Sequence, residues 1–243
     1  MLFAAGNGTR LKPFTDLHPK ALLPLAGQTL LKYQILRLKE IGCDEIVINT
    51  HHFANQIVDY LQQNNNFGIN INLSYEKELL NTGGGLYNVK DFFVDSPFFL
   101  ALNVDILSNI NLNDLLKAHK QDDIATLVVS QRDTERYLLF NDENIMRGWT
   151  NIKTNEFRPN NIENIYSLHK LAFSGMQVLS PKIFQYAADL GDTFSLVDLY
   201  LNCCKTENIR AYIPTNYQMM DVGKTEFLAQ AEQFAENLKK KGS

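Results

Sequence analysis

The feature that most constrains this chain is the alternation of short apolar runs with amphipathic helical stripes through its first 130 residues. "DEIVINT" is followed by "ANQIVDYLQQNN", and "PFFLALNVD" by "LNDLLKAHK" and then "IATLVVS". In "TLLKYQILRLKEIG" the residues Leu30, Leu31, Leu38 and Ile41 share one helical face, and Gly42 marks the stop. "PFFLALNVD" is apolar almost without interruption, as expected of a strand covered on both faces. Such alternation predicts an α/β fold built on a doubly wound, mostly parallel sheet.

The second half is less regular. "RYLLFNDENIMRGW" reads as a hairpin around a polar turn, and "NIKTNEFRPNNIENIY" as a polar, loop-rich stretch. "LHKLAFSGMQVLS" resumes as a strand, Pro181 begins a helix, and "TFSLVDLYLNCCK" gives another. "RAYIP" and "YQMMDVG" are short strands, and Thr225 to Lys240 forms an amphipathic helix. No repeat, low-complexity segment or linker divides the 243 residues, so a single domain is expected, mixed in strand direction where the middle region elaborates one end of the sheet. A formal net charge of -4 leaves no general basic footprint, which argues against nucleic acid as a partner. Cys43, Cys203 and Cys204 are odd in number and lack zinc spacing, so a disulfide framework is not expected and reducing cytoplasm is. Neither a signal-peptide pattern nor a membrane-spanning run is present, so no membrane association is expected.

The opening "MLFAAGNGTRLKPFTDLHPKALLPLAG" carries the chemistry. Met1 to Ala5 reads as a short buried strand, and Gly6 and Gly8 suit backbone that turns sharply and comes close to a ligand. Arg10 and Lys20 add cationic donors, so the stretch reads as a phosphate site. It is not a dinucleotide fingerprint, because Leu11 stands at the third glycine position. Nor is it a Walker A loop, which ends in glycine, lysine and serine or threonine. Asp105 closes one apolar strand and Asp221 another. Strand-end carboxylates at a sheet edge suit magnesium, which takes one or two of them and fills its octahedron with phosphates and water; the alternative is that each caps a turn. The triple glycine of "NTGGGLYNV" reads either as helix-start amides facing a ligand or as a tight helix start. His51 and His52 have no ligand-like neighbours in the sequence and read as surface or helix-start residues, while Trp149 reads as core.

The opening resembles the signature of sugar-1-phosphate nucleotidyltransferases, roughly L-A-A-G-x-G-T-R-L-x-P-x-T followed by P-K-x-L-x-P, with Phe3 in place of leucine. The resemblance runs on through "NTGGGL", "NVD", "AFSG" and "MDVG", and so covers essentially the whole chain. The short length is similar to that of N-acetylmuramate-1-phosphate uridylyltransferases and short mannose-1-phosphate guanylyltransferase relatives. The resemblance implies a Rossmann-like sheet of the nucleotidyltransferase type, with residues 1–130 mainly the nucleotide-binding half and 131–243 mainly the sugar-binding half with its C-terminal helix. It implies a reaction that joins a nucleoside triphosphate to a sugar 1-phosphate and releases pyrophosphate, in cell-envelope carbohydrate synthesis or recycling. Uridylyl transfer is the leading expectation. Guanylyl transfer to mannose or heptose 1-phosphate, or a non-catalytic homologue that senses nucleotide sugars, are the alternatives.

Residue by residue, the resemblance implies Arg10 and Lys20 as catalytic cations and Asp105 and Asp221 as ligands of Mg2+. It implies nucleotide contacts from Ala4, Ala5, Gly6, Gly8 and Thr9, from Glu76 on the base edge, and from Thr82, Gly83 and Gly84. Gly148, Ser174 and Gly175 are the expected sugar contacts, and a monomer or small homo-oligomer the expected state. Two departures stand out. Val104 replaces a usual glycine before Asp105, which changes nearby ribose or sugar contacts, and Phe173 stands where relatives that take N-acetylglucosamine place asparagine. Relatives also start a few residues earlier, so a shortened N-terminus is expected. A glycosyltransferase would show Asp-x-Asp where this chain has Asn103-Val104-Asp105, and a dehydrogenase would need the missing third glycine.

Overall fold

The computed structural model describes residues 1–162 and 164–242. In chain order the elements begin with β1 (Leu2–Phe3), β2 (Pro24–Leu25), β3 (Gln28–Thr29), α1 (Leu30–Glu40), β4 (Glu45–Thr50), α2 (Ala54–Gln63) and β5 (Asn70–Tyr75). They continue with α3 (Asn81–Tyr87), β6 (Phe99–Asn103), β7 (Ile106–Ser108), α4 (Leu112–Ala118), β8 (Asp123–Ser130), β9 (Arg136–Phe140), β10 (Met146–Asn151) and β11 (Glu156–Arg158). The last are β12 (His169–Leu179), α5 (Leu196–Cys203), β13 (Asn208–Tyr212), β14 (Met219–Asp221) and α6 (Leu228–Gly242). They group into two compact units. The first takes Met1–Leu79, Leu102–Asn109 and the chain from Gln218 onward; the second takes Leu80–Ala101 and Ile110–Tyr217.

In the first unit β1 lies between β4 and the end of β6, and β4 pairs onward with β5, all in parallel. The registers Leu2↔Ile48 and Leu2↔Leu102 put fully buried side chains at the centre. Parallel neighbours need crossovers, and α1 and α2 supply two of them. Helix α1 buries Leu30, Leu31, Gln34, Ile35 and Leu38, begins on the Thr29 side chain, which accepts from the Lys32 amide, and stops before Gly42 at φ +82°. Of the stripe read from the sequence, Leu30, Leu31 and Leu38 lie on the packed face and Ile41 is half-buried just past the helix end, while Gln34 is a polar member that periodicity does not reveal. Strands β7 and β14 form a short antiparallel pair, Asp221 opposite Ile106.

In the second unit β8 is buried along nearly its whole length, flanked by antiparallel β12 and parallel β13. β12 pairs antiparallel with β9, which forms the expected hairpin with β10. This is the α/β class that the alternation predicts, with the mixed strand direction expected of the middle region. Strand β11 departs from the loop-rich reading. Its backbone pairs with β10, and the Thr150 hydroxyl donates to the Glu156 carbonyl, so a polar sequence still makes an edge strand. Pro181 opens a 3-10 turn rather than an α-helix, and α6 begins only at Leu228, behind a 3-10 turn. Among the described residues no helix is long and apolar enough to cross a membrane.

Candidate active site

The first unit carries the charged residues singled out in the sequence. β1 ends at Phe3, and the chain leaves it through Ala4, Ala5 and an exposed Gly6. Gly8 sits at φ +60°, and its carbonyl accepts from the Leu11 amide at 2.8 Å and the Thr15 hydroxyl at 2.9 Å. A Cβ there would lie 2.8 Å from Thr15 Cγ2 and 3.1 Å from Lys20 Cβ, so glycine is required on both counts. Gly6 differs. Its φ lies outside the left-handed range and nothing lies within 4 Å of its would-be Cβ, so the fold itself does not demand a glycine there. Thr9 and Arg10 form an exposed 3-10 turn, and the Thr225 hydroxyl is placed to donate to the carbonyls of Arg10 and Lys12 at 3.0 and 3.3 Å.

Lys20 is 9% exposed, and its Nζ donates to Asp105 Oδ2 in an ion pair. Asp105 stands in the turn between β6 and β7. The fully buried Gln34 steadies that turn, donating to the Ile106 carbonyl at 2.6 Å and the Asn103 carbonyl at 3.4 Å. The Val104 amide donates to the Phe3 carbonyl, and its side chain is buried. The Val222 amide donates to the Asp105 carbonyl at 2.9 Å, tying the end of β14 to the same turn. Gly223 follows. A Cβ on it would lie 2.7 Å from Asp221 Oδ1 and 3.2 Å from an Arg10 terminal nitrogen, so both side chains occupy space that only glycine leaves open. Arg10, Lys20, Asp105 and Asp221 are thus gathered where strands β1, β6 and β14 end. Among the described residues no group of three or more His, Cys, Asp or Glu is placed to hold a metal ion. Asp105 and Asp221 are hard oxygen donors, and a pair of carboxylates completed by phosphates and water is a set that magnesium accepts.

Glu76, expected on the base edge, is 2% exposed, and its Oε1 accepts from Asn49 Nδ2 at 2.6 Å. Asn49 Oδ1 in turn accepts from the Ala4 amide at 2.8 Å. His51, half-buried, places Nδ1 2.8 Å from the Glu76 carbonyl.

The remaining expected site residues lie in the second unit. The triple glycine sits inside α3 rather than before it, and the Gly83 and Gly84 amides both donate to the Phe194 carbonyl, at 2.9 and 3.1 Å. A Cβ on Gly83 would come within 2.4 Å of the Phe194 ring, and one on Gly84 within 2.3 Å of the Asp192 carbonyl. Both amides are thus engaged by the Phe194 carbonyl, and both glycines are closely packed. The Thr82 hydroxyl accepts from the Leu196 amide at 3.1 Å, at the start of α5. Gly148 is closely packed as well: Ile162 Cδ1 and the Arg158 carbonyl would lie 2.4 and 2.6 Å from a Cβ built on it. Ser174 is buried, with no hydrogen-bond partner for Oγ among the described residues, and Gly175 at φ +71° lies where β12 bulges away from β8. Gln177 and Tyr200 are likewise buried without polar partners among the described residues, and Phe173 packs edge-on against the Tyr200 ring. A cavity of about 530 Å³ opens among Arg158, Asn160, Phe194, Asp198, Asn202 and Lys205, with Arg158 bridged to Asp198 at 2.8 Å.

The Nucleotidyl transferase family matches residues 1–237. The chain belongs to that family. Over 112 residues it is 40% identical to the N-acetylmuramate alpha-1-phosphate uridylyltransferase of Neisseria meningitidis, 46% of this chain and 48% of that one. Over 140 residues it is 31% identical to the UTP–glucose-1-phosphate uridylyltransferase of Synechocystis, 53% of this chain and 36% of that one. Over 124 residues it is 34% identical to mannose-1-phosphate guanylyltransferase 1 of Arabidopsis thaliana, 49% of this chain and 34% of that one. The chain thus spans less than half the length of these curated relatives. Two solved structures share the fold. They are UDP-glucose pyrophosphorylase from Acinetobacter baumanii (TM-score 0.74, 16% identity, 100% of this chain and 98% of that one) and the inositol-1-phosphate CTP transferase from T. maritima (0.76, 18%, 98% and 94%).

The sequence reading missed Gln34, Asn49, Thr225 and Gly223, all in the first unit. Gly223 had a signal, as the glycine that closes "MDVG". Asn49 had a weaker one, a polar residue closing the apolar run "EIVIN".

Proposed function

We propose that this member of the Nucleotidyl transferase family joins a nucleoside triphosphate to a sugar 1-phosphate and releases pyrophosphate. The observation that carries the reading is the Lys20–Asp105 ion pair beside the glycine loop, with Arg10 and Asp221 flanking Gly223. Both substrates are anions and the attacking phosphate oxygen is already ionised, so no general base is needed. The work is positioning and charge neutralisation. Arg10 presents a planar fork of donors suited to the triphosphate tail. Lys20 is a point charge for the α-phosphate or the incoming sugar phosphate, held near by Asp105 until substrate takes it. Gly6, whose open side has no structural use, leaves room for a nucleotide against the backbone of Ala4 to Thr9. Asp105 and Asp221 would hold Mg2+, which when bound would neutralise phosphate charge during the transfer. Ser174 and Gly175 are the proposed sugar contacts.

Uridylyl transfer is the leading base assignment, supported by the N-acetylmuramate and glucose relatives. Guanylyl transfer follows, supported by the mannose relative. The three cysteines are thiols, which supports a reducing cytoplasm as the place of action. The test is pyrophosphate release with Mg2+, crossing UTP, GTP, CTP, ATP and dTTP against a panel of sugar 1-phosphates. Turnover with one pair establishes the reaction and both substrates. Nucleotide binding with no turnover across the panel would select the non-catalytic, nucleotide-sugar-sensing alternative.

A further inference from the structure

At the carboxyl edge of the first unit's sheet, three side-chain and backbone groups continue the strand ladder by other means. β1 ends at Phe3, and the Ala4 amide has passed the end of its ladder; it donates instead to Asn49 Oδ1 on the neighbouring β4, at 2.8 Å. Asn49 Nδ2 then donates to Oε1 of Glu76, the first residue beyond β5, at 2.6 Å. Glu76 is itself anchored, its amide donating to the Thr50 carbonyl at 2.8 Å. Asn49 and Glu76 are 3% and 2% exposed.

The chemistry of the three groups fixes the direction of this relay. A backbone amide only donates, and an ionised carboxylate only accepts. Asn49 therefore has one workable amide orientation, oxygen toward Ala4 and nitrogen toward Glu76. Without the carboxylate the amide could turn over and set its NH2 against the Ala4 N–H, leaving both buried donors unsatisfied. We propose that Glu76 is a positioning residue that acts through Asn49 on the Ala4 amide, and so sets the path of the backbone entering Gly6 to Gly8, rather than a reader of the nucleotide base. The inference rests on the nucleotidyltransferase reading only for its kinetic readout.

The test is an exchange of donor and acceptor within the relay. Asn49→Asp keeps an acceptor for Ala4 but sets two carboxylates against each other. Glu76→Gln alone can still offer its carbonyl to Asn49. The double variant Asn49→Asp/Glu76→Gln rebuilds both bonds, with the new amide donating to the new carboxylate. Asn49→Asp is expected to raise KM for the nucleoside triphosphate by roughly tenfold or more, the size of effect that follows when a buried polar contact is broken. The double variant should recover most of this loss, and the ratio of rates between UTP and CTP should stay as in the unaltered protein throughout. Hydrogen exchange at the Ala4 amide gives a readout without substrate: faster in Asn49→Asp, slow again in the double variant. A double variant no better than Asn49→Asp in both readouts overturns the relay. A Glu76→Gln variant with an altered UTP to CTP ratio overturns it in favour of base reading. If no nucleotide supports turnover by the unaltered protein, the nucleotidyltransferase reading fails and Ala4 exchange alone decides the relay.

Discussion

The two units differ in the surroundings of their motif glycines and polar groups. In the first, the glycine loop leaves Gly6 open on one side, and the charged residues nearby are set against one another: Lys20 with Asp105, Arg10 and Asp221 on either side of Gly223. In the second, Gly83, Gly84 and Gly148 are closed in by Phe194, Asp192, Arg158 and Ile162, while Ser174, Gln177 and Tyr200 keep buried polar atoms without partners among the described residues. Gly6 makes room, whereas Gly83, Gly84 and Gly148 remove a Cβ that would collide, as Gly8 and Gly223 also do in the first unit. The lesson is that a glycine-rich motif is not evidence of a ligand until its open side has been located. An orphaned buried hydroxyl such as Ser174 Oγ, conversely, marks where water or a ligand has polar work left to do.

The contrast can be broken most sharply at the carboxylates. Asp105→Asn or Asp221→Asn should reduce Mg2+-dependent turnover by on the order of a thousandfold, since a metal ion at transferring phosphate supplies several kcal/mol. Thermal unfolding should show both variants folded; near-normal activity in both would remove the metal assignment. Lys20→Ala comes next. It should lower kcat by on the order of a hundredfold, as when one preorganised donor to developing charge is lost. A change confined to KM would make Lys20 a uniform binding group instead.

The glycines sharpen the comparison directly. Gly83→Ala or Gly84→Ala should destabilise the protein by about 1–3 kcal/mol, because the new methyl meets backbone carbonyl or a packed ring and the structure must shift. Gly6→Ala should leave stability within about 0.5 kcal/mol and instead raise KM for the nucleotide. Denaturant melts beside steady-state kinetics separate the two, and equal effects on stability would erase the distinction drawn between the units. The smallest effect lies at Asp198. Burial raises its pKa, but hydrogen bonds from Ser195 and Arg158 outweigh that and hold it below the ordinary value. A depressed folded pKa gives stability that is present above the unfolded value and lost as pH falls through the folded one. Asp198→Asn should therefore flatten the acid limb of the stability profile, read by urea unfolding from neutral pH down to about 3.

What the sequence made legible was local. The glycine loop, Arg10 and Lys20 lie within one short stretch and each aspartate closes an apolar run, and the resemblance of those stretches to a family signature singled them out. The α/β class followed from alternation. The partners of Glu76 and the triple glycine were not legible because they are distant: Asn49 belongs to another strand, and Phe194 stands more than a hundred residues beyond Gly84. Gln34 hid inside an apolar helical stripe, where a polar residue gives no hint that its amide fastens the Asp105 turn. Strand β11 was invisible because its stability comes from pairing with β10, not from apolar periodicity.

The first unit is assembled from three separate stretches, with the whole of Ile110–Tyr217 inserted before its last piece. On the ribosome this imposes an order of events. Lys20 and Asp105 emerge early, yet Asp221, Gly223 and the Thr225 hydroxyl that fastens the Arg10 turn arrive only after the second unit has been synthesised. A nascent chain can therefore fold its interior insert first, while the cluster of Arg10 and Asp221 closes only when its final segment returns to the N-terminal strand ends.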